Sequence, residues 1–344
     1  MIIDGKHIGD ECYVIAEIGH NHGGSLQTAL EMIKVAKECG ADAVKFQKRD
    51  NKTLYTKELY DSPYVNENSY GKTYGEHREA LEFNDEYHKL QIYSKEIGIT
   101  MFATAFDFKS ADFLFDLGVP AFKIASGDLT NTPLLEYVAH FQKPMIVSTG
   151  GGTITDVVRA YSTIMPINSQ LCFMQCTCSY PCDFKEMNLN VVKTYREIFP
   201  GIVVGLSAHD SGIAMSLVGY MLGARIIEKH FTLNRASKGT DHAFSLEPQG
   251  LRKLVRDLKR AHLALGDGIK QFYASESNGL RKMGKKLVVS SDLPIGHTLT
   301  YDDIAIKSPN DGLPPYEISN VIGKNTLRAL KEDENVTFED LVDG

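Results

Sequence analysis

Two histidines, His209 and His230, stand at the ends of two short apolar runs, IVVGLSAH (202–209) and RIIEKHF (225–231). On adjacent strand ends their imidazoles can point at one another. With no third protein ligand evident, the pair suggests a divalent metal with open positions for water or substrate, suited to Lewis-acid work. The alternative is that each ring only hydrogen-bonds a neighbour or acts as an acid or base. Lysines lie where apolar residues would be expected, Lys45 in DAVKFQK (42–48) and Lys123 in AFKIAS (121–126). Period-two counting turns Lys45 and Lys123 inward and Lys229 outward. With Thr104, Ser126, Ser148 and Ser207 the inward lysines make a ring of donors for a phosphate and a carboxylate. A Schiff-base lysine is the rival chemistry. Glu17, in YVIAEIG (13–19), is either a general base or the partner of a lysine.

Such residues need a frame that brings them together. Eight β-rich runs recur along the chain: 13–19, 42–48, 100–106, 121–126, 144–150, 171–177, 202–209 and 225–231. Helical patterns separate them, among them SLQTALEMIKVAKECG, with Ser25 as N-cap and Gly40 past its end, and EPQGLRKLVRDLKRAHLALG after the last run. Eight strand–helix units over about 265 residues predict an α/β fold, a (β/α)8 TIM barrel, whose active site lies at the C-terminal ends of the strands. A doubly wound sheet is disfavoured, since no G-x-G-x-x-G follows the first run. Each predicted strand carries a polar group at that same end: Glu17; Lys45 and Gln47; Thr104; Lys123 with Ser126 and Asp128; Ser148; Gln175 and Thr177; Ser207 and His209; Glu228 and His230. The middle of a buried parallel strand should be apolar, so this register marks a site. Residues 49–83 are too long and polar for a plain βα connection and predict a lid or binding loop.

The composition fits this class. The 344 residues are 43% hydrophobic and 24% charged, which excludes disordered and fibrous classes. A net charge of −7 without a basic block argues against nucleic acid or an anionic membrane as partner. No run reaches spanning length and no export signal is visible, so a cytoplasmic location is expected. Four of six cysteines crowd into LCFMQCTCSYPC as C-x3-C-x-C-x3-C, unlike the paired spacing of structural zinc, and are expected to be buried thiols. Composition shifts after the barrel. The expected division is a (β/α)8 barrel over 1–267, a linker over 268–286 and a small domain over 287–344 that is marginal alone.

These residues sit in motifs that resemble the sialic acid synthase family: AEIGHNHGGSLQTALEMIKVAKECGADAVKFQK, YGKTYGEHREALEF, KIASGDLTN, FMQCTCSYP, GLSAHDSGIA, IEKHFTL and KGTDHAFSLEP. The tail KLVVSSDLPIGHTLTYDDIAIKSPNDGLPP is similar to the family's antifreeze-like SAF domain, a β-clip fold. The resemblance implies a transferase that condenses phosphoenolpyruvate with N-acetylmannosamine, or its 6-phosphate in animal-type members, using Mn or Mg. It implies metal ligation by His209 and His230, and phosphoenolpyruvate binding by Lys45, Thr104, Lys123, Ser126, Ser148 and Ser207. It further implies that Glu17 handles a water or proton near C2 and that Gln47, Asp128, Tyr180 and Asp241 face the sugar. Departures lie on the sugar side. Cys178 stands where many bacterial members have Asn, Asp128 where they have Glu, Ala208 where they have Asp, and Ser308 where they have an Arg that reaches the partner's sugar. Other hexosamines of the legionaminic, pseudaminic or Kdn type are the alternative acceptors. A domain-swapped homodimer, each tail domain covering the other subunit's barrel mouth, is also implied.

Overall fold

Strand β1 (Tyr13–Gly19) is buried at every position, and the seven others are nearly so: β2 (Ala43–Lys48), β3 (Thr100–Ala105), β4 (Phe122–Ile124), β5 (Met145–Ser148), β6 (Leu171–Cys176), β7 (Val203–Ser207) and β8 (Ile226–His230). Apolar residues on both faces of a strand demand cover on both sides, which a closed parallel sheet inside a ring of helices provides. The computed structural model describes residues 1–9 and 11–344, and in it these strands pair in parallel, in chain order. The sheet closes where β8 pairs with β1, placing Ile226 opposite Tyr13 and His230 opposite Glu17. The expected α/β barrel is therefore the observed one.

Helices follow each strand: α1 (Leu26–Glu38), α2 (Glu86–Ile97), α3 (Phe108–Leu117), α4 (Thr132–Ala139), α5 (Ile154–Ile164), α6 (Val191–Ile198), α7 (Ala214–Met221) and α8 (Pro248–Leu265). In α1 the Ser25 side chain accepts from the Thr28 amide as N-cap, and Ala29, Met32, Ile33 and Ala36 form the buried stripe at helical spacing. The chain leaves that helix through Gly40 at φ +88°, a left-handed conformation that only glycine takes without strain.

The long connection after β2 is not structureless. It carries three short helices, Asn51–Leu54, Lys57–Asp61 and Tyr74–Glu79, the last opened by a Thr73–Glu76 capping box. It is anchored at its root by buried Lys48, whose Nζ donates to Glu82 Oε1 (3.0 Å), Phe83 O (2.9 Å) and Asn84 Oδ1 (3.1 Å). Its far side is held by Tyr70 Oη donating to Lys238 O (2.8 Å) and by the Gly239 amide donating to Asn68 Oδ1 (3.0 Å). The connection thus ties β2 to the segment after β8.

Residues Met1–Gly266 form one compact unit and Asp267–Gly344 another. The second unit has its own small core of Leu287, Val289, Leu293, Leu299, Val321, Leu330, Val336 and Leu341. Two short antiparallel ladders flank it, Lys286–Val289 with Ile304–Lys307 and Asn325–Thr326 with Leu341–Val342. Within this unit Ser308 accepts a hydrogen bond from Lys285 Nζ (2.6 Å).

Candidate active site

Strand parity puts alternate side chains inside the barrel, and near the C-terminal ends those inward positions turn polar. They line a cavity of about 300 Å³ together with residues of the long connection and of the segment after β8. Its floor is a chain of ion pairs and hydrogen bonds. Lys45 Nζ lies 2.7 Å from Glu17 Oε2, donates to Thr104 Oγ1 (2.9 Å) and stands 3.8 Å from Glu228 Oε1. Ser207 Oγ donates to the same Glu228 oxygen (3.1 Å). Across the barrel Lys123 Nζ donates to Ser148 Oγ (2.6 Å) and to Ile124 O (2.9 Å). Ser126 Oγ accepts from the Gly150 amide (3.0 Å).

Burial and mutual charge set the protonation here. Burial pushes the Glu17 carboxyl up to about 7, with Lys45 opposing and Glu228 adding to the rise. Burial works the same way on Glu228, but the charges of Lys45 and Lys123 hold it low. Two carboxylates thus share one lysine, and Glu17 is the more readily protonated of the two. Burial pulls Lys123 down, while the Glu228 charge resists.

His209 and His230 meet at the mouth with ring centroids 5.4 Å apart, walled by Tyr180 (4.3 Å from His209) and Phe244 (4.8 Å from His230). Burial lowers His209 to about 3, helped by His230, and burial also lowers His230, against the pull of Asp241. Both imidazoles are therefore neutral. His209 Nδ1 contacts Thr177 O at 2.9 Å, which fixes the Nδ1–H tautomer and leaves the Nε2 lone pair bare. His230 Nδ1 is buried without a hydrogen-bond partner, 3.5 Å from Asp241 Oδ2. Two neutral rings, each with an unused nitrogen and one of them oriented by the Thr177 carbonyl, are a donor set that suits a divalent cation. Among the described residues no three His, Cys, Asp or Glu side chains are grouped to hold a metal. A cation here would rest on two imidazoles, with its other positions left to water or substrate.

The acceptor side is assembled around Gln47. Its Nε2 donates to Glu17 Oε1 (2.7 Å) and its Oε1 accepts from Arg49 Nη2 (2.7 Å), which settles which end of the amide is which. Gly19, at φ +53°, keeps this corner open: a Cβ there would stand 3.1 Å from both Gln47 Nε2 and Glu17 Oε1, and 3.7 Å from Asp241 Oδ2.

Of the residues singled out from sequence, the cavity brings together Glu17, Lys45, Gln47, Thr104, Lys123, Ser126, Ser148, Tyr180, Ser207, His209, Glu228, His230 and Asp241. Asp128 is not among its lining residues; its carboxylate accepts from Asn131 Nδ2 (3.1 Å) at the start of the following helix. Gln175 and Thr177 face away from the mouth, donating to Met187 O and Glu186 O (both 2.9 Å). Strand β6 contributes Cys176 there instead. Lys229 points outward as expected, into a buried pair with Asp210 (2.9 Å). The cysteine expectation needs a correction at one position. Cys172, Cys176 and Cys182 are buried, but Cys178 lies past the end of β6 and is exposed at the cavity rim. A Cβ on Gly150 would stand 2.5 Å from Cys178 Sγ and 2.9 Å from Ser126 Oγ.

His20, Asn21, Arg49, Tyr70, His77 and Arg78 also line the cavity, although no local pattern marks them. Arg49 and Arg78 are charged residues in a long polar connection, and only the fold of that connection turns them inward.

Comparison with known proteins extends this picture. The family model described as "NeuB family" matches residues 32–270, and the SAF domain model matches residues 286–342. The chain is 41% identical to the N-acetylneuraminate-9-phosphate synthase of Homo sapiens, covering 98% of this chain and 95% of the relative. It is 35% identical to the N,N'-diacetyllegionaminic acid synthase of Legionella pneumophila, covering 95% and 94%. Among solved structures it resembles the N-acetylneuraminic acid synthetase of Leptospira borgpetersenii, determined with citrate, at TM-score 0.68 and 33% identity over 79% of this chain and 91% of that one.

Proposed function

The chain belongs to the NeuB family and carries a SAF domain, and from that premise we propose that it joins phosphoenolpyruvate to N-acetylmannosamine or its 6-phosphate, releasing phosphate by C–O cleavage. The observation that carries this reading is the buried polar floor, with two lysines and a set of hydroxyls on strand ends beside two neutral imidazoles. Lys45 and Lys123, with Thr104, Ser126, Ser148 and Ser207, hold the phosphate and carboxylate of phosphoenolpyruvate. Gln47, Tyr180 and Asp241 orient the sugar so that its aldehyde carbon faces C3 of the enol. His209 and His230 would hold Mn or Mg; when bound, the cation supplies Lewis-acid polarisation of the aldehyde.

Attack of C3 on the aldehyde makes the new C–C bond and leaves positive charge at C2. Water adds at C2, and Glu17, with its raised carboxyl beside Lys45, accepts a proton from that water. Glu17 passes its proton to the alkoxide left from the aldehyde, and the C2–O bond to phosphate then breaks as the new C2 hydroxyl gives its proton to the departing phosphate, leaving a 2-keto acid and inorganic phosphate. Tyr180 and Phe244 shield the imidazoles from bulk water, where a polarised aldehyde would otherwise be hydrated.

The test is release of phosphate from phosphoenolpyruvate with Mn, run with N-acetylmannosamine, its 6-phosphate and mannose, with a chelator control. Metal-dependent release with one acceptor supports the reading. Borohydride trapping of pyruvate on a lysine would replace it with a Schiff-base aldolase. A homodimer belongs to the same proposal: the second unit exposes Phe272, Met283, Ile295 and Tyr316, and sedimentation at micromolar concentration should give twice the chain mass.

A further inference from the structure

Arg49 and Arg78 are the two guanidinium groups that line the cavity. Arg49 is only 7% exposed, one residue past the end of β2, with its guanidinium 3.6 Å above the Phe106 ring. Arg78 comes from the short helix Tyr74–Glu79 and donates to Tyr74 Oη (2.9 Å). Among the described residues neither guanidinium makes an ion pair; Glu82, the nearby acid, is taken by Lys48 Nζ and by the Arg49 backbone amide. Buried charges are ordinarily paired, because the cost of leaving water is otherwise unmet.

What lies between them sharpens the point. His20 Nε2 is 2.9 Å from Arg49 Nη1, and His20 Nδ1 is 3.2 Å from Arg78 Nη1. A guanidinium can only donate, and a neutral imidazole accepts at one nitrogen and donates at the other. One of the two contacts therefore sets a donor against a donor. Burial and the two arginines hold His20 neutral, so it supplies no charge of either sign. Arg78 Nε, moreover, is buried with no partner at all. The cluster has surplus donors and surplus positive charge, and all three side chains line the cavity.

We infer that Arg49 and Arg78 form a second anion subsite, which takes the phosphate monoester of a phosphorylated hexosamine acceptor. The inference rests on the synthase reading above, which already assigns the phosphoenolpyruvate anion to Lys45 and Lys123. A phosphate offers three acceptor oxygens to two planar forks, and a dianion matches two guanidinium charges. Gln47 links the two anion sites, accepting from Arg49 and donating to Glu17 (2.7 Å each). With the aldehyde end of the sugar at His209 and His230, the far end of the hexose chain is the part left to meet Arg49.

Two measurements test this. Calorimetric binding of N-acetylmannosamine 6-phosphate and of N-acetylmannosamine to the intact chain should favour the phosphorylated sugar by at least tenfold. Arg49→Met and Arg78→Met should each cut the ratio of kcat/KM for the phosphorylated over the unphosphorylated acceptor at least tenfold, with Arg49→Lys restoring part of it. The ratio is internally controlled, since a poorly folded fraction lowers both rates alike. Equal wild-type affinity for the two sugars, or a ratio unmoved by both substitutions, overturns the inference even if phosphate release is robust. Absent phosphoenolpyruvate turnover with either sugar defeats the synthase reading alone; arginine-dependent binding of the sugar phosphate would still uphold the anion subsite.

Discussion

His230 and Glu17 are register partners across the seam that closes the barrel, the last residue of β8 opposite the penultimate inward position of β1. The seam sets the carboxyl proposed to move a proton beside an imidazole proposed to hold the metal. It also brings Glu17 next to Lys45, its register partner on the other side. Carboxyl, ammonium and imidazole are thus fixed by backbone pairing rather than by flexible loops, which is the arrangement that preorganised catalysis requires.

Glu17→Gln is expected to lower turnover by about two to four orders of magnitude, the usual range for a general base. The carboxyl stands near 7, raised from its ordinary 4.5 chiefly by burial. The active form is the ionised one, so kcat/KM in the wild type should rise with pH through about 7 and level off above it. That ascending limb should vanish in the Gln variant, as read from steady-state rates between pH 5.5 and 9.

His209 is held neutral, at about 3, so a cation binding at pH 7 displaces no proton from it. Titration of Mn into chelator-treated protein, in two buffers of different ionisation enthalpy, should give nearly the same heat. His209→Ala and His230→Ala should each weaken that binding at least tenfold and abolish turnover.

Lys48→Met is expected to cost about 3 kcal/mol, because it strands the buried Glu82 carboxylate with little beyond the Arg49 amide. The melting temperature should fall by several degrees, and limited proteolysis should cut first within residues 49–83. The sign with pH follows from Glu82, which burial raises to about 7 against the pull of Lys48. A raised carboxyl contributes stability that is complete below about 4.5 and is lost as pH climbs through about 7. Wild-type stability from this group should therefore decline between pH 5 and 8, and Glu82→Gln should flatten that slope.

Cys178 is the exposed thiol, and a hydrogen bond from Cys176 draws it down to about 6 against the effect of burial, with Ser126 and Tyr180 assisting. Cys12, by contrast, is raised to about 12 by burial. Iodoacetamide at pH 7.5 should therefore add one mass increment fast, at Cys178, since thiolates are the reactive form. Phosphoenolpyruvate should slow that reaction, and Cys178→Ser should remove it.

Much of the barrel was legible in the sequence. The run YVIAEIG predicts a strand over 13–19 and forms one over Tyr13–Gly19, because a strand buried on both faces leaves a continuous apolar signature. The inward side chains Lys45, Lys123, His209 and His230 also followed from local parity. The same rule could have placed Gln175 and Thr177 correctly: they alternate with Cys172 and Cys176 and so belong on the other face.

The remainder was decided by tertiary structure. Parity is a property of one strand and says nothing about which residue of another strand lies opposite; the pairing of Glu17 with His230 depends on how the sheet closes on itself. Nor does local pattern show that Arg78, on a short surface helix, meets Arg49 across His20. Cys178 looked like the buried thiols before it until the strand ended two residues earlier and left it at the rim. Sequence determined the elements and the side each one turns inward, since those follow from periodicity along a single segment. Which charges end up adjacent, and therefore which groups are neutral or unpaired, depends on contacts between segments far apart in the chain, and only the closed barrel fixes those.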